Sequence, residues 1–198
     1  MISALNERPA AANPAPASLG TPPTLGALWA VAAAVPDPEI PVISVADLGI
    51  LRGIEWDADD PATLVVTVTP TYSGCPATEM IMASLREALA AAGVARVRTE
   101  THLSPPWTTD WMTADGKRKL AEFGIAPPGA ARATSGIATI DVSGLRSARR
   151  PAAGVGAVAC PRCGSKRTQL LSQFGSTACK AHYRCLDCLE PFDHFKPH

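Results

Sequence analysis

Residues Thr63 to Thr101, TLVVTVTPTYSGCPATEMIMASLREALAAAGVARVRTET, decide the fold of the first half of this chain. The run Thr63-Leu64-Val65-Val66-Thr67-Val68-Thr69 is dense in β-branched side chains, the composition of a strand. After it, Cys75-Pro76 opens a segment in which Ile81, Leu85, Ala88 and Ala92 share one helical face, and Gly93 stands where a helix C′ glycine belongs. From Val94 to Thr101, Arg96, Arg98 and Glu100 alternate with Val97, Thr99 and Thr101, the period of a half-buried strand. Strand, helix and strand in succession imply a right-handed crossover between two parallel strands.

On the N-terminal side, Ile50 to Trp56 is a second β-prone run, and Asp57-Ala58-Asp59-Asp60-Pro61 is turn-rich, so the two runs read as a hairpin. Leu25, Leu28, Trp29, Ala32 and Val35 recur at helical spacing, with Thr24 as N-cap and Pro36 as stop. Residues 1–23 are rich in Ala and Pro and read as a disordered tail. On the C-terminal side, Pro105-Pro106-Trp107 and Trp111 form an aromatic loop, Thr113 caps a short helix through Phe123, and Gly136 to Val142 is strand-like. The expected organisation is a tail (1–23), a small α/β domain (24–103), an extension packed on it (104–143), a linker (144–157) and a metal module (158–198). The expected fold class is α/β (α+β): a small mixed sheet followed by a four-cysteine zinc-ribbon module.

Composition limits the functional classes. With 18 Lys and Arg against 18 Asp and Glu in 198 residues, no net field draws the chain to nucleic acid or to an acidic membrane surface. The longest apolar run, Gly26 to Val35, is too short to span a bilayer, and no stretch near Glu7 and Arg8 forms a secretory h-region, so a cytoplasmic location is expected. Paired cysteines in a reducing compartment are more often metal ligands or redox groups than structural disulfides.

Cys160-Pro-Arg-Cys163 and Cys185-Leu-Asp-Cys188 are two C-x-x-C pairs separated by 21 residues. Two such knuckles complete a tetrahedral thiolate shell, and zinc is the expected metal. A tetrahedral iron, an iron–sulfur cluster and a pair of redox disulfides are the alternatives that the spacing leaves open. About forty residues make too small a core to fold alone, so the metal is expected to hold this module together. Cys179 lies six residues before Cys185 and is either an alternative ligand or a small apolar filler. His182, His194 and His198 read as surface residues, because four cysteines already fill the shell.

Cys75 follows a strand and directly precedes a proline at a helix start. There the helix dipole and free N–H groups are expected to lower a thiol's pKa and favour the thiolate. Thr69, Thr71, Tyr72 and Ser73 crowd the same loop, and Asp37, Glu39 and Asp47 are candidates to face it. The alternative is a small buried residue at a tight turn.

Together, Asp37-Pro38-Glu39-Ile40-Pro41-Val42, Val45-Ala46-Asp47-Leu48-Gly49 and Thr71-Tyr72-Ser73-Gly74-Cys75-Pro76 resemble the signature of the MIP18 (DUF59) family of iron–sulfur assembly factors. The continuation, including Leu103-Ser-Pro-Pro-Trp107, Phe174-Gly-Ser-Thr-Ala-Cys179-Lys and Glu190-Pro-Phe-Asp-His-Phe195, is similar to one branch, the PaaD (also PaaJ) proteins of bacterial phenylacetyl-CoA epoxygenase (epoxidase) systems. The resemblance implies an accessory, non-catalytic protein of aerobic phenylacetate degradation that helps mature an iron–sulfur centre. It implies that Cys75 is the reactive thiol, in a groove lined by Asp37, Glu39, Asp47 and Thr71, handling a transient iron or iron–sulfur cluster. The implied partners are the reductase and oxygenase components of the epoxidase and iron–sulfur donor proteins. Two rival readings are a docking component without cluster handling and a thiol redox enzyme using one C-x-x-C pair. The chain has no Glu-x-x-His pair of the di-iron type and no dinucleotide-binding glycine fingerprint.

Overall fold

The computed structural model describes residues 23–71, 74–129 and 158–197. The expected tail up to residue 22, Tyr72 and Ser73, the strand-like segment 136–142, the linker and His198 lie outside the described residues. Helix α1 (Leu25–Ala33) starts at Thr24, whose hydroxyl accepts from the N–H of Ala27 at 3.2 Å, and buries Leu28 and Ala32. Strands β1 (Leu51–Trp56) and β2 (Thr63–Val68) pair antiparallel, with a bulge between Leu51 and Gly53. Helix α2 (Ala77–Ala91) then leads to β3 (Arg96–Thr101), which pairs parallel to β2, Thr63 opposite Arg96 through Val68 opposite Thr101. The three-stranded sheet therefore has the order β1-β2-β3. Helix α2 buries Ala77, Ile81, Leu85 and Leu89, while Ala88 and Ala92 pack at the edge of the core. Gly93 ends it at φ +93°, a left-handed conformation that side chains other than glycine's disfavour.

The extension runs through a 3₁₀ turn (Thr109–Trp111) into α3 (Ala114–Phe123), capped by Thr113, whose hydroxyl accepts from the N–H of Gly116 at 2.9 Å. Its Trp107, Met112, Leu120 and Ile125 belong to the same core as Leu28, Val66 and Leu85. The indole N–H of Trp107 donates to the Leu48 carbonyl at 2.8 Å. At Gly49 (φ +71°) a Cβ would sit 2.5 Å from the Trp111 carbonyl oxygen, so only glycine lets the extension approach this closely.

The C-terminal module, expected to be too small to fold alone, borrows a strand from the extension. Strands β4 (Ile125–Ala126), β5 (Thr168–Ser172), β6 (Lys180–Cys185) and β7 (Pro191–Phe195) form a sheet of order β4-β7-β6-β5. The extension supplies β4, which pairs parallel to β7 with Ile125 opposite Asp193 and Ala126 opposite His194. The extension thus does more than pack on the first domain. Phe195, only 1% exposed, lies in the main core, its ring 6.2 Å from that of Trp107. A module too small to bury its own apolar face gains the missing surface from its neighbour. Among the described residues, no helix is long and apolar enough to cross a membrane.

Candidate metal centre and candidate thiol pocket

The two knuckles adopt one conformation twice. The N–H of Cys160 donates to the Ser165 carbonyl and that of Cys185 to the Glu190 carbonyl, each at 2.9 Å. The residue after each second cysteine is left-handed, Gly164 at φ +74° and Leu189 at φ +65°. Leucine in that region costs about 1–2 kcal/mol, so the knuckle geometry is imposed against local preference. As a result the sulfurs of Cys160, Cys163, Cys185 and Cys188 all lie within 4.8 Å of one another. Cys160 Sγ is 3.8 Å from Cys188 Sγ, and Cys163 Sγ is 3.6 Å from Cys185 Sγ. A tetrahedral ion with metal–sulfur bonds of about 2.3 Å requires sulfurs about 3.8 Å apart, so the four thiols fit such an ion. The N–H groups of Cys188 and Asp187 point at Cys185 Sγ at 3.5 and 3.4 Å and lower its pKa. The neighbouring Cys163 and Cys188 thiols are raised, so the crowded sulfurs share few charges until a cation sits among them.

Cys179 is not among these sulfurs. It precedes Lys180 at the start of β6, whereas Cys185 ends that strand. Six residues of strand span about 20 Å, which removes Cys179 from the four-sulfur shell. His194, expected at the surface, is 4% exposed, and its ring meets Tyr183 edge-on at 5.5 Å. Its place on the central strand β7, between β4 and β6, buries it, and that burial lowers its pKa to about 4. His182 remains partly exposed and contacts Asp193 at 3.1 Å.

The second site is a cavity at the junction of the two parts. Asp37, Glu39, Thr71, Cys75, Cys179 and Phe195 all line it. The loop between α1 and β1 places the two carboxylates. Asp37 is buried, and its Oδ1 accepts from the N–H groups of Glu39 and Ile40, each at 2.8 Å. That hold turns the chain so that Glu39 faces the cavity. Burial raises the pKa of Asp37 against the pull of those N–H groups and of Lys180. Cys75 enters from the loop before α2, half-buried. Its thiol is not lowered, as the helix start suggested, but raised. Burial dominates and the charges of Glu39 and Asp37 add to it, outweighing the N–H of Ala77 and the Thr78 side chain. Cys179 enters from the turn just before β6; its thiol is also pushed up, by burial first, with the Thr177 contact and Lys180 opposing Glu39 and Asp37.

Asp47 lies elsewhere. Its carboxylate accepts from the N–H of Ser44 at 3.0 Å, from the Thr113 hydroxyl at 3.1 Å and from Lys119 Nζ at 2.8 Å. Burial alone would raise its pKa, but these donors hold it below the usual carboxylate range. Asp47 therefore seats the start of α3 and Gly49 admits the extension, while Leu48 between them is an apolar wall of the thiol pocket. Sequence reasoning missed Cys179 as a pocket residue. The available signal was arithmetic: four cysteines complete one shell, and the fifth is left over.

These features define a mixed α/β domain joined to a four-cysteine ribbon. The model for "Iron-sulfur cluster assembly protein" matches residues 27–99, and that for "PaaD zinc beta ribbon domain" matches residues 146–196. The chain is 43% identical over 175 residues to the D component of the putative 1,2-phenylacetyl-CoA epoxidase of Escherichia coli (strain K12), covering 88% of this chain and 94% of that protein. It belongs to the PaaD family. The Fe-S protein maturation auxiliary factor YitW of Bacillus subtilis (strain 168) is 35% identical over 89 residues, 43% of this chain and 82% of that protein. A DUF59 crystal structure from Bacillus anthracis is 27% identical with a TM-score of 0.42, covering 47% of this chain and 87% of that one.

Proposed function

We propose that this chain is a non-catalytic accessory factor of the phenylacetyl-CoA epoxidase system that helps load an iron–sulfur centre, the [2Fe–2S] cluster of the reductase component. The observation that carries the reading is Cys75 half-buried in a cavity with the carboxylates of Asp37 and Glu39. A thiol raised by burial and nearby negative charge is a poor nucleophile at neutral pH. The same field attracts a cation, and an arriving iron replaces the thiol proton. The likeness to a maturation factor over the first domain, and to an epoxidase component over the whole chain, supports both the cargo and the client. Its partners would be the reductase, the oxygenase and an iron–sulfur donor protein.

The four-cysteine centre would hold zinc, with Cys160, Cys163, Cys185 and Cys188 as ligands. A closed shell of four thiolates leaves no position for substrate, so the zinc would supply folding energy rather than chemistry. It would also leave no free C-x-x-C dithiol, which argues against a redox enzyme.

A docking role without cargo is favoured by a different observation, the exposed Leu171, Phe174 and Leu189 on the ribbon. The two readings separate in cells carrying the wild-type chain, Cys75→Ala or no copy. Cluster loading expects a reductase poor in iron and visible absorbance in the last two; a reductase fully loaded in all three overturns it. Docking instead tolerates the loss of Cys75.

A further inference from the structure

Cys179 has a position that neither the zinc centre nor Cys75 alone explains. It stands 104 residues from Cys75 in sequence, in the turn before β6 rather than the loop before α2, yet both line one cavity. Its backbone is fixed, because its carbonyl accepts from the N–H of Lys196 at 2.9 Å, directly beyond the buried Phe195. Its sulfur has polar company, with Thr177 Oγ1 at 3.0 Å and Glu39 Oε2 at 4.0 Å. A cysteine acting only as apolar filler has no need of a carboxylate beside it. Burying two thiols with Asp37 and Glu39 concentrates acceptors and latent negative charge where the core would otherwise prefer apolar groups.

We infer that Cys179, presented by the ribbon, is the second thiol ligand of the iron cargo, so that Cys75, Cys179 and Glu39, which line one cavity without converging as the four ribbon sulfurs do, are drawn together onto the iron as it binds. This rests on the proposed role of Cys75 and goes beyond it by assigning a ligand to the other half of the molecule. On binding, each thiol releases its proton to solvent as its sulfur takes the iron, and no electron moves. Glu39 offers a carboxylate oxygen to the same cargo. Strand β6 then links the two sites, ending in Cys185 for the structural metal and directly preceded by Cys179 for the cargo. The zinc centre thereby fixes the strand that presents Cys179. The cargo is iron in a thiolate setting, either as the ion or within a cluster.

The test uses the full zinc-loaded chain without oxygen, given ferrous iron alone or ferrous iron with sulfide. Iron, zinc and acid-labile sulfide per chain are counted after desalting. Wild type is expected to retain iron beyond its zinc. Cys75→Ala and Cys179→Ser are each expected to hold it roughly tenfold or more weakly, with zinc unchanged. Serine keeps a hydroxyl beside Thr177, and unchanged zinc with an unchanged melting curve shows that the variant has folded; Cys179→Ala is the second variant. Labile sulfide retained with the iron identifies a cluster, and iron without sulfide identifies the ion; either supports the inference if Cys179→Ser loses it. Retention by both Cys179 variants and loss by Cys75→Ala would overturn the inference while leaving the role of Cys75 intact. Full retention by Cys75→Ala would overturn both. Loss of zinc from the Cys179 variants would return Cys179 to the ribbon and overturn the inference as well.

Discussion

The molecule holds six cysteines in two settings, and the settings are built in opposite ways. At the ribbon end, four sulfurs converge within 4.8 Å, on knuckles whose backbone is shaped for the purpose. At the junction, Cys75 and Cys179 share a cavity with two carboxylates and do not form a preassembled shell. The first arrangement suits an ion that stays. The second brings two thiols and two carboxylates to one cavity without converging them, the arrangement proposed above for a cargo that must leave again. The difference shows that cysteine count alone does not define function; convergence and neighbouring charge do.

Removing the four-sulfur centre should have the largest effect. Structural zinc contributes about 10–16 kcal/mol in small modules, so Cys185→Ser should abolish zinc binding and unfold the sheet of β5 to β7. Because Phe195 is part of the main core, the first domain should also melt at a lower temperature, whereas an autonomous ribbon would leave its melting unchanged. Metal analysis and thermal melting read both. Next is the joint itself: Phe195→Ala should cost about 3–5 kcal/mol, measured by denaturant unfolding, with zinc still bound. A loss below about 1 kcal/mol would mean that the two parts are not packed as one core.

Acid should discriminate further. His194 has a folded pKa of about 4, below the ordinary value of 6.5, so the unfolded chain binds the extra proton between those values. Its contribution is fully present above about pH 6.5 and is lost as pH falls towards 4, by up to about 3 kcal/mol. The stability of His194→Phe should lack this component, while zinc release by thiol protonation should persist in both. The smallest effect concerns Leu189, left-handed at φ +65°. Leu189→Gly should stabilise the metal-bound chain by about 1 kcal/mol, without touching the cargo pocket, as a shift in melting temperature would show.

How much of this was legible in the sequence follows from what each feature depends on. The β2-α2-β3 unit and the caps at Thr24, Thr113 and Gly93 are local, set by periodicity and by side chains close in sequence, and they stand where the pattern put them. The four converging cysteines were legible because knuckle spacing is itself a short-range constraint. Asp47 was not, since a carboxylate in the loop after Pro41 reads alike whether it faces a thiol or binds the cap of a helix 66 residues later. Likewise β4 is two residues long, too short for any period, and its pairing with β7 is wholly tertiary. The raised thiol of Cys75 escaped for the same reason: the helix start is local, but the burial and carboxylates that outweigh it come from elsewhere.

The junction cavity is proposed to carry iron towards a client cluster. That role is tested most directly by loading the zinc-bound chain with isotopically labelled iron and sulfide, mixing it with apo-reductase without oxygen, and following label and visible absorbance in the re-isolated reductase. The wild-type chain should fill the reductase faster than the same iron and sulfide free in solution, and the Cys75→Ala chain should give no such advantage. Equal filling by free iron, wild type and Cys75→Ala would contradict it.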